Sequence, residues 1–142
     1  MRSRHKGVAL VEFALILPFL LVLTLVVTEY SRALYQYNTL TKSVRDAARY
    51  LSTQPPGQKI AQAKNLVVYG NLTGAGSPLA IGLSLSQVAD PTWQLAGASP
   101  VINTVKIGIT NYTFAPMFAS AFGLNFGNIA FAEISATMRA PL

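Results

Sequence analysis

The chain contains no cysteine. A disulfide framework and a thiolate metal site are therefore excluded. Its one histidine, His5, lies near the start. The body of the protein has no imidazole for a Ser-His-Asp triad or a histidine-built metal site. Acids are scarce too: Glu12, Glu29, Asp46, Asp90 and Glu133 are the only five. They are far apart in sequence, so no carboxylate pair suggests acid–base catalysis. No phosphate-binding glycine loop, metal-ligand cluster or internal repeat is found. These absences argue against an enzyme, and no cofactor and no metal are expected.

Apolar residues are plentiful. The hydrophobic fraction is 51% and the charged fraction 11% across 142 residues, an imbalance unusual for a soluble chain. Much of it sits in residues 8–28. The length suits one compact domain plus an anchor. The net charge is +6, but Arg2, Arg4 and Lys6 supply three of the eleven basic residues. Eight bases against five acids remain after them, a net of +3. The downstream bases are spread singly, whereas nucleic-acid binding needs a basic stripe on a folded face. No nucleic-acid partner is expected.

From Val8 to Thr28 the sequence reads VALVEFALILPFLLVLTLVVT. That is about the 20 residues a helix needs to cross the hydrocarbon core. The basic start MRSRHK puts the N-terminus in the cytoplasm by the positive-inside rule, with everything after Thr28 outside. A conventional secretory signal has a shorter apolar run and a small-x-small cleavage site. The exit VVTEYSRAL offers no good one. Pro18 should kink or loosen the helix, since it removes one backbone bond and crowds the preceding turn.

Glu12 is the anomaly in this run. A carboxylate at a bilayer centre costs roughly 2.5–3.5 kcal/mol. Glu12 is only about 6 Å of helical rise from Val8, so it lies near an interface and costs less. Two readings follow from spacing. It is a tolerated interfacial acid, or it awaits a cation within an assembly, because pairing removes much of the penalty of a charge in apolar surroundings.

The residues around Glu12 carry a resemblance. KGVALVEF resembles the class III signal of type IV pilins and pseudopilins. In that family a prepilin peptidase cuts after a glycine that follows a short basic leader. The fifth residue of the mature chain is glutamate. Here Gly7 would end the leader, Val8 would become the new N-terminus, and Glu12 would be fifth. Phe13 supplies the aromatic residue that follows the glutamate in the tight-adherence (Tad/Flp) branch. The longer stretch RHKGVALVEFALILPFLLVL is similar to the start of TadE-like proteins, minor pilins or pseudopilins of that system. A proline near this place, a glutamate at the outer end of the apolar helix (Glu29), and a helix ending like RDAARYL also fit. VKIGITNYTFAPMF and ISATMRAPL resemble that subfamily's final strands.

The resemblance implies a role for each residue. Glu12 would neutralise the free amine of a neighbouring subunit's first residue. Cleavage at Gly7–Val8 would create that amine on Val8 and remove the leader cations. The implied partners are the prepilin peptidase, the major pilin and other minor pilins of a Tad pilus, the inner membrane and the secretion platform. The implied location is the inner membrane, N-terminus inside, with the pilus or cell surface after assembly. The implied function is a minor pilin in assembly of an adhesion pilus. The alternative is an uncleaved single-span anchor carrying an extracytoplasmic binding domain.

Downstream, Tyr30, Ala33, Leu34, Tyr37, Val44, Ala47, Ala48 and Leu51 recur at three- and four-residue steps. That spacing predicts an amphipathic helix, with Leu40 sharing the side less cleanly. Arg32, Gln36, Lys42, Arg45 and Arg49 take the opposite side, and Asp46 is placed to pair with Lys42 or Arg49. TQPPG ends the helix. One helix over 8–53 would be roughly 69 Å long. QKIAQAKNLVVYGN predicts a short helix and GAGSP a turn. LAIGLSLS, VINTVKIGITN and IAFAEISATM alternate and predict three antiparallel strands.

The expected fold is therefore α+β. A long N-terminal helix packs on a small antiparallel sheet, with its first half in the membrane and its second half amphipathic. The expected divisions are a leader over 1–7, a membrane helix over 8–28, a stem helix over 29–53 and a head over 54–142. FAPMFASAFGLNFG, residues 114–127, reads as a partner-binding loop, a cover over the sheet's end, or a contact with the membrane surface. Trp93 is left open between a surface contact and a core plug.

Overall fold

A computed structural model describes residues 4–140, with side chains described from Gly7 onward. Arg2 lies outside the described residues, as do the side chains of Arg4 and Lys6 and the final two residues of ISATMRAPL.

Helix α1 runs from Arg4 to Leu51, 48 residues without a break. Its length is about 72 Å at 1.5 Å per residue. Long runs of Leu, Val and Ala favour it, and Thr24, Thr28 and Ser31 return their hydroxyls to the carbonyls of Leu20, Thr24 and Val27 at 2.8 Å. These bonds hide polar groups within the helix itself. The helix is continuous through Pro18, so the expected loosening does not interrupt it. It ends two residues before Thr53, where Ser52 and Thr53 cap the last carbonyls ahead of Pro55 and Pro56.

The second half of α1 packs on the head. Leu40, Val44, Ala47, Ala48 and Leu51 are fully buried. Continued toward the N-terminus, the same stripe passes through Gln36, Ala33 and Glu29. This corrects the face read from sequence. Tyr30 and Leu34 are each 62% exposed. Leu40 is central, and Gln36 lies on the packed side. Full burial of each large side chain stabilises the fold by about 1.5–3 kcal/mol, so Leu40 through Leu51 fix the helix rotation and the polar residues follow. Asp46 makes no ion pair among the described residues.

Helix α2, Ile60–Tyr69, lies against α1 and buries Ala63, Val67 and Val68. Gly70 ends it with φ 72°, its N–H on the Leu66 carbonyl, a left-handed turn that glycine adopts without strain. The expected strand LAIGLSLS is not one. It is a set of turns with a short 3-10 turn at Leu85–Gln87. Gly82 has φ 80°, which bends the segment, and the Ser84 N–H donates to Gln87 Oε1 instead of a neighbouring strand. Ala80 and Leu83 still reach the core.

Three strands form the main sheet, in the order β1–β2–β7: β1 Thr92–Ala96, β2 Ile102–Ile109 and β7 Ile134–Arg139. All pairings are antiparallel, with Val105 opposite Trp93 on one side and Met138 on the other. Between β2 and β7 lie four two-residue strands: β3 Thr113–Phe114, β4 Ser120–Ala121, β5 Leu124–Asn125 and β6 Ile129–Ala130. β3 pairs with β6, and β4 with β5. IAFAEISATM, expected as one strand, is thus divided between β6 and β7. The break falls at Phe131, whose N–H bonds the Tyr112 carbonyl and whose ring meets Tyr37 and Tyr112, each at 5.5 Å. β2 is buried through Val105, Ile107 and Ile109, as its alternation predicts. Helix α1 lies against β2 and β7, giving the expected α+β architecture.

Candidate functional site

Two places on α1 carry chemistry that the core does not need. The first is the N-terminal end. Gly7 sits in the helix although glycine lowers helix stability by about 1 kcal/mol relative to alanine. A Cβ there would meet nothing within 4 Å. Neither packing within this chain nor backbone conformation requires the glycine. Val8 and Phe13 are 68% and 57% exposed, and Glu12 projects from the same bare helix one turn after Val8. No described cation lies within 4 Å of Glu12. Val8 through Leu23 expose nearly every large apolar side chain, Phe19 to 77%. An 18-residue window of this helix has a mean hydropathy of 2.8. The helix is long and apolar enough to anchor the protein in a membrane.

The second place is where α1 meets the head. Glu29 follows Thr28, the last residue of the apolar run, and is 5% exposed. Its Oε2 accepts from Arg32 Nη1 at 2.8 Å and from the Met117 N–H at 3.2 Å. Arg32 in turn lies over the Phe114 ring, 5.6 Å from its centre. Charge-assisted bonds of this kind are stronger than neutral ones. Glu29 is therefore a latch: it ties the loop after β3 to the first turn of the stem. Two turns beyond Glu29, Gln36 Oε1 lies 2.8 Å from the Tyr112 hydroxyl, which also lies 2.9 Å from the Ile81 carbonyl. Burial pushes the Tyr112 phenol above its ordinary pKa, because the charged phenolate is poorly solvated there.

A small cleft of about 220 Å³ opens beside Glu29, lined by Tyr30, Phe114, Pro116, Phe126 and Ile129 among others. Glu29 Oε1 is buried and has no partner. Among the described residues no group of acids and histidine could hold a metal. Residues 7–49 match the family described as TadE-like protein.

Over these residues the N-terminal helix is similar to TadE-like proteins. The matched stretch begins at Gly7 and ends at Arg49, two residues before the end of α1. It contains Glu12, Phe13, Pro18 and Glu29, the residues on which the resemblance was drawn. No curated protein and no solved structure matches the chain. The head lies outside the TadE-like stretch. Its resemblance at VKIGITNYTFAPMF rests on sequence alone, yet Phe114 and Met117 of that stretch are what Arg32 and Glu29 hold. The latch role was not read from sequence. The available signal was a glutamate at the very end of an apolar run with an arginine three residues on, a spacing at which helix side chains meet.

Trp93 proves to be neither a bare surface contact nor a full core plug. It is half-buried on the edge strand β1, packed against the core. Its indole Nε1 is buried with no partner.

Proposed function

We propose that this protein is a minor pilin, or pseudopilin, of a Tad-type type IV pilus. The TadE-like match supports association with a Tad pilus at the coarse level. The finer reading rests on the N-terminal turns of α1. One observation carries it: Gly7 and Glu12 sit at the spacing the class III signal needs, and neither has a structural reason within the chain.

In this reading the prepilin peptidase cuts between Gly7 and Val8. Glycine loosens the helix at the cut, and the first turn of any helix lacks partners for its N–H groups, so the segment opens cheaply. The new Val8 amine is a cation on a bare apolar helix. Glu12 of an adjacent subunit is an anion in the same setting, and each removes the other's desolvation penalty. Removal of Arg2, Arg4 and Lys6 lowers the cost of lifting the helix out of the bilayer. The chain is the peptidase's substrate and performs no chemistry itself. Its N-terminus faces the cytoplasm, its head lies outside the inner membrane, and its partners are the major and other minor pilins and the secretion platform. Its contribution to adhesion is through the pilus it helps assemble.

The deciding measurement is the intact mass and N-terminal sequence from membranes, with and without the cognate peptidase. A new N-terminus at Val8 that depends on the peptidase supports the reading. An intact leader in both samples leaves an uncleaved anchor bearing a binding domain. Gly7→Ala is the cleanest variant. A methyl group fits there, so the fold should be unchanged while processing fails. Glu12→Ala should be processed normally and be depleted from sheared pili at least about tenfold, the effect of losing roughly 1.4 kcal/mol of pairing. Normal incorporation of that variant would overturn the pairing role.

A further inference from the structure

The segment between β2 and β7 carries a pattern that the fold does not need. Residues 107–132 contain no Asp, Glu, Lys or Arg. Within them the β4–β5 hairpin turns through Phe122 and Gly123, with φ 52° and 80°. A two-residue turn with both φ values positive favours Asn-Gly or Gly-Gly. A bulky residue with positive φ is a genuine outlier. Phe122 is 63% exposed, so core packing is not the reason for its ring. Met117, Phe118 and Leu124 around it are 67%, 44% and 48% exposed. A local rule broken at an exposed tip by an aromatic residue points to function.

The latch fixes where this tip stands. Met117 is held by Glu29, and Phe126 lines the same cleft as Glu29 and Tyr30. Both limbs of the hairpin are therefore rooted in the first turn beyond Thr28. Val8–Thr28 rises about 31 Å, one hydrocarbon thickness. The hairpin roots thus stand at the boundary between acyl chains and headgroups, where exposed aromatic side chains are favoured. We propose that the Met117–Leu124 hairpin is a foot that lies in the outer-leaflet headgroup layer and rests the head on the lipid surface. The occupant is lipid, as argued from the uncharged composition and from continuity with the membrane span. A protein neighbour is the competing occupant. The proposal rests on the reading of Val8–Thr28 as a membrane anchor.

The absence of cysteine gives a direct test. Full-length protein is reconstituted in phosphatidylethanolamine–phosphatidylglycerol vesicles with one nitroxide at Phe122→Cys, Leu20→Cys or Gln58→Cys. Leu20 reports the span, and Gln58 the exposed loop beyond the stem. Collisions with a water-soluble nickel complex at position 122 should fall roughly threefold below those at 58, with oxygen collisions raised toward those at 20, as expected for a shallowly inserted side chain. Water-like values at 122 with lipid-like values at 20 would overturn the foot and leave the anchor standing. Protection from both nickel and oxygen at 122 would show a protein cover and also overturn it. Water-like values at 20 would end the anchor reading, and the foot with it. In a Leu124→Cys background, Phe122→Asn keeps the turn and removes the ring. Nickel collisions at 124 should then rise about twofold, and no change would deny Phe122 its role.

Discussion

Glu29 shows how one polar side chain can be kept inside an apolar junction. Its carboxylate is nearly fully buried and is compensated on one oxygen by a guanidinium and a backbone N–H. Glu29→Ala strips Met117 of its acceptor and leaves Arg32 unpaired, and should cost about 2 kcal/mol. Glu29→Gln keeps an acceptor and should lose less. Thermal unfolding of the full chain in detergent distinguishes the two. Gly108 makes a different demand. A Cβ at this position would lie 2.9 Å from Ser135 Cβ and 3.0 Å from the Ile134 carbonyl oxygen. Gly108→Ala should therefore push β7 off β2 and destabilise by roughly 1–3 kcal/mol. Phe122→Asn should have the opposite sign. It relieves a left-handed aromatic residue and should gain about 1 kcal/mol in detergent, while weakening any hold the ring has on lipid. Stability and function pull apart at that position.

At the scale of elements, α1 and β2 were legible and the segments between them only in part. Helix length, its end at Pro55–Pro56, α2 and the alternation of β2 follow from period and punctuation. The rotation of the stem did not. Tyr30 and Leu34 are apolar but face away from the head, whereas Gln36 and Glu29 are polar and face it because the head supplies Tyr112 and the Met117 N–H. Hydropathy ranks side chains without seeing partners, so satisfied polar residues are assigned to solvent. Leu40→Ala tests the corrected face. As a fully buried residue it should cost about 2–5 kcal/mol, while Leu34→Ala should cost little in the isolated protein. The strand at Thr92–Ala96 escaped for a different reason. It is a five-residue edge strand whose Trp93 and Leu95 alternate with Thr92 and Gln94 over only four positions, too short a run to stand out, and Leu95 on the Trp93 side is still 71% exposed. LAIGLSLS alternates but has a left-handed Gly82 and no adjacent strand to pair with along its length. The hairpin tip was visible as composition and hidden as geometry.

For the molecule as a whole, pH should act at both ends of the scale. Glu133 titrates below its ordinary value of 4.5, first because Lys106 Nζ donates a hydrogen bond to it at 2.8 Å and then through the same cation's charge. A lowered folded pKa gives stability that is present above the unfolded value and lost as pH falls through the folded one. Lys106→Met should flatten this acid arm. The group is exposed, so the arm will be shallow. Tyr112 titrates above 10.0 because of burial. A raised folded pKa gives stability that is full below pH 10 and lost as pH climbs beyond it. Tyr112→Phe should remove the alkaline arm, and urea midpoints across pH check both signs. The unbroken 48-residue helix has a mechanical meaning as well. Span and stem are one rod, with no hinge between lipid and head. Helices in bilayers commonly lean by about 20°. Pivoting at mid-membrane, such a lean carries the Leu51 end sideways by roughly 17 Å. A change of hydrocarbon thickness that alters this lean would therefore swing the head directly, and the stem works as a pointer whose dial is the membrane.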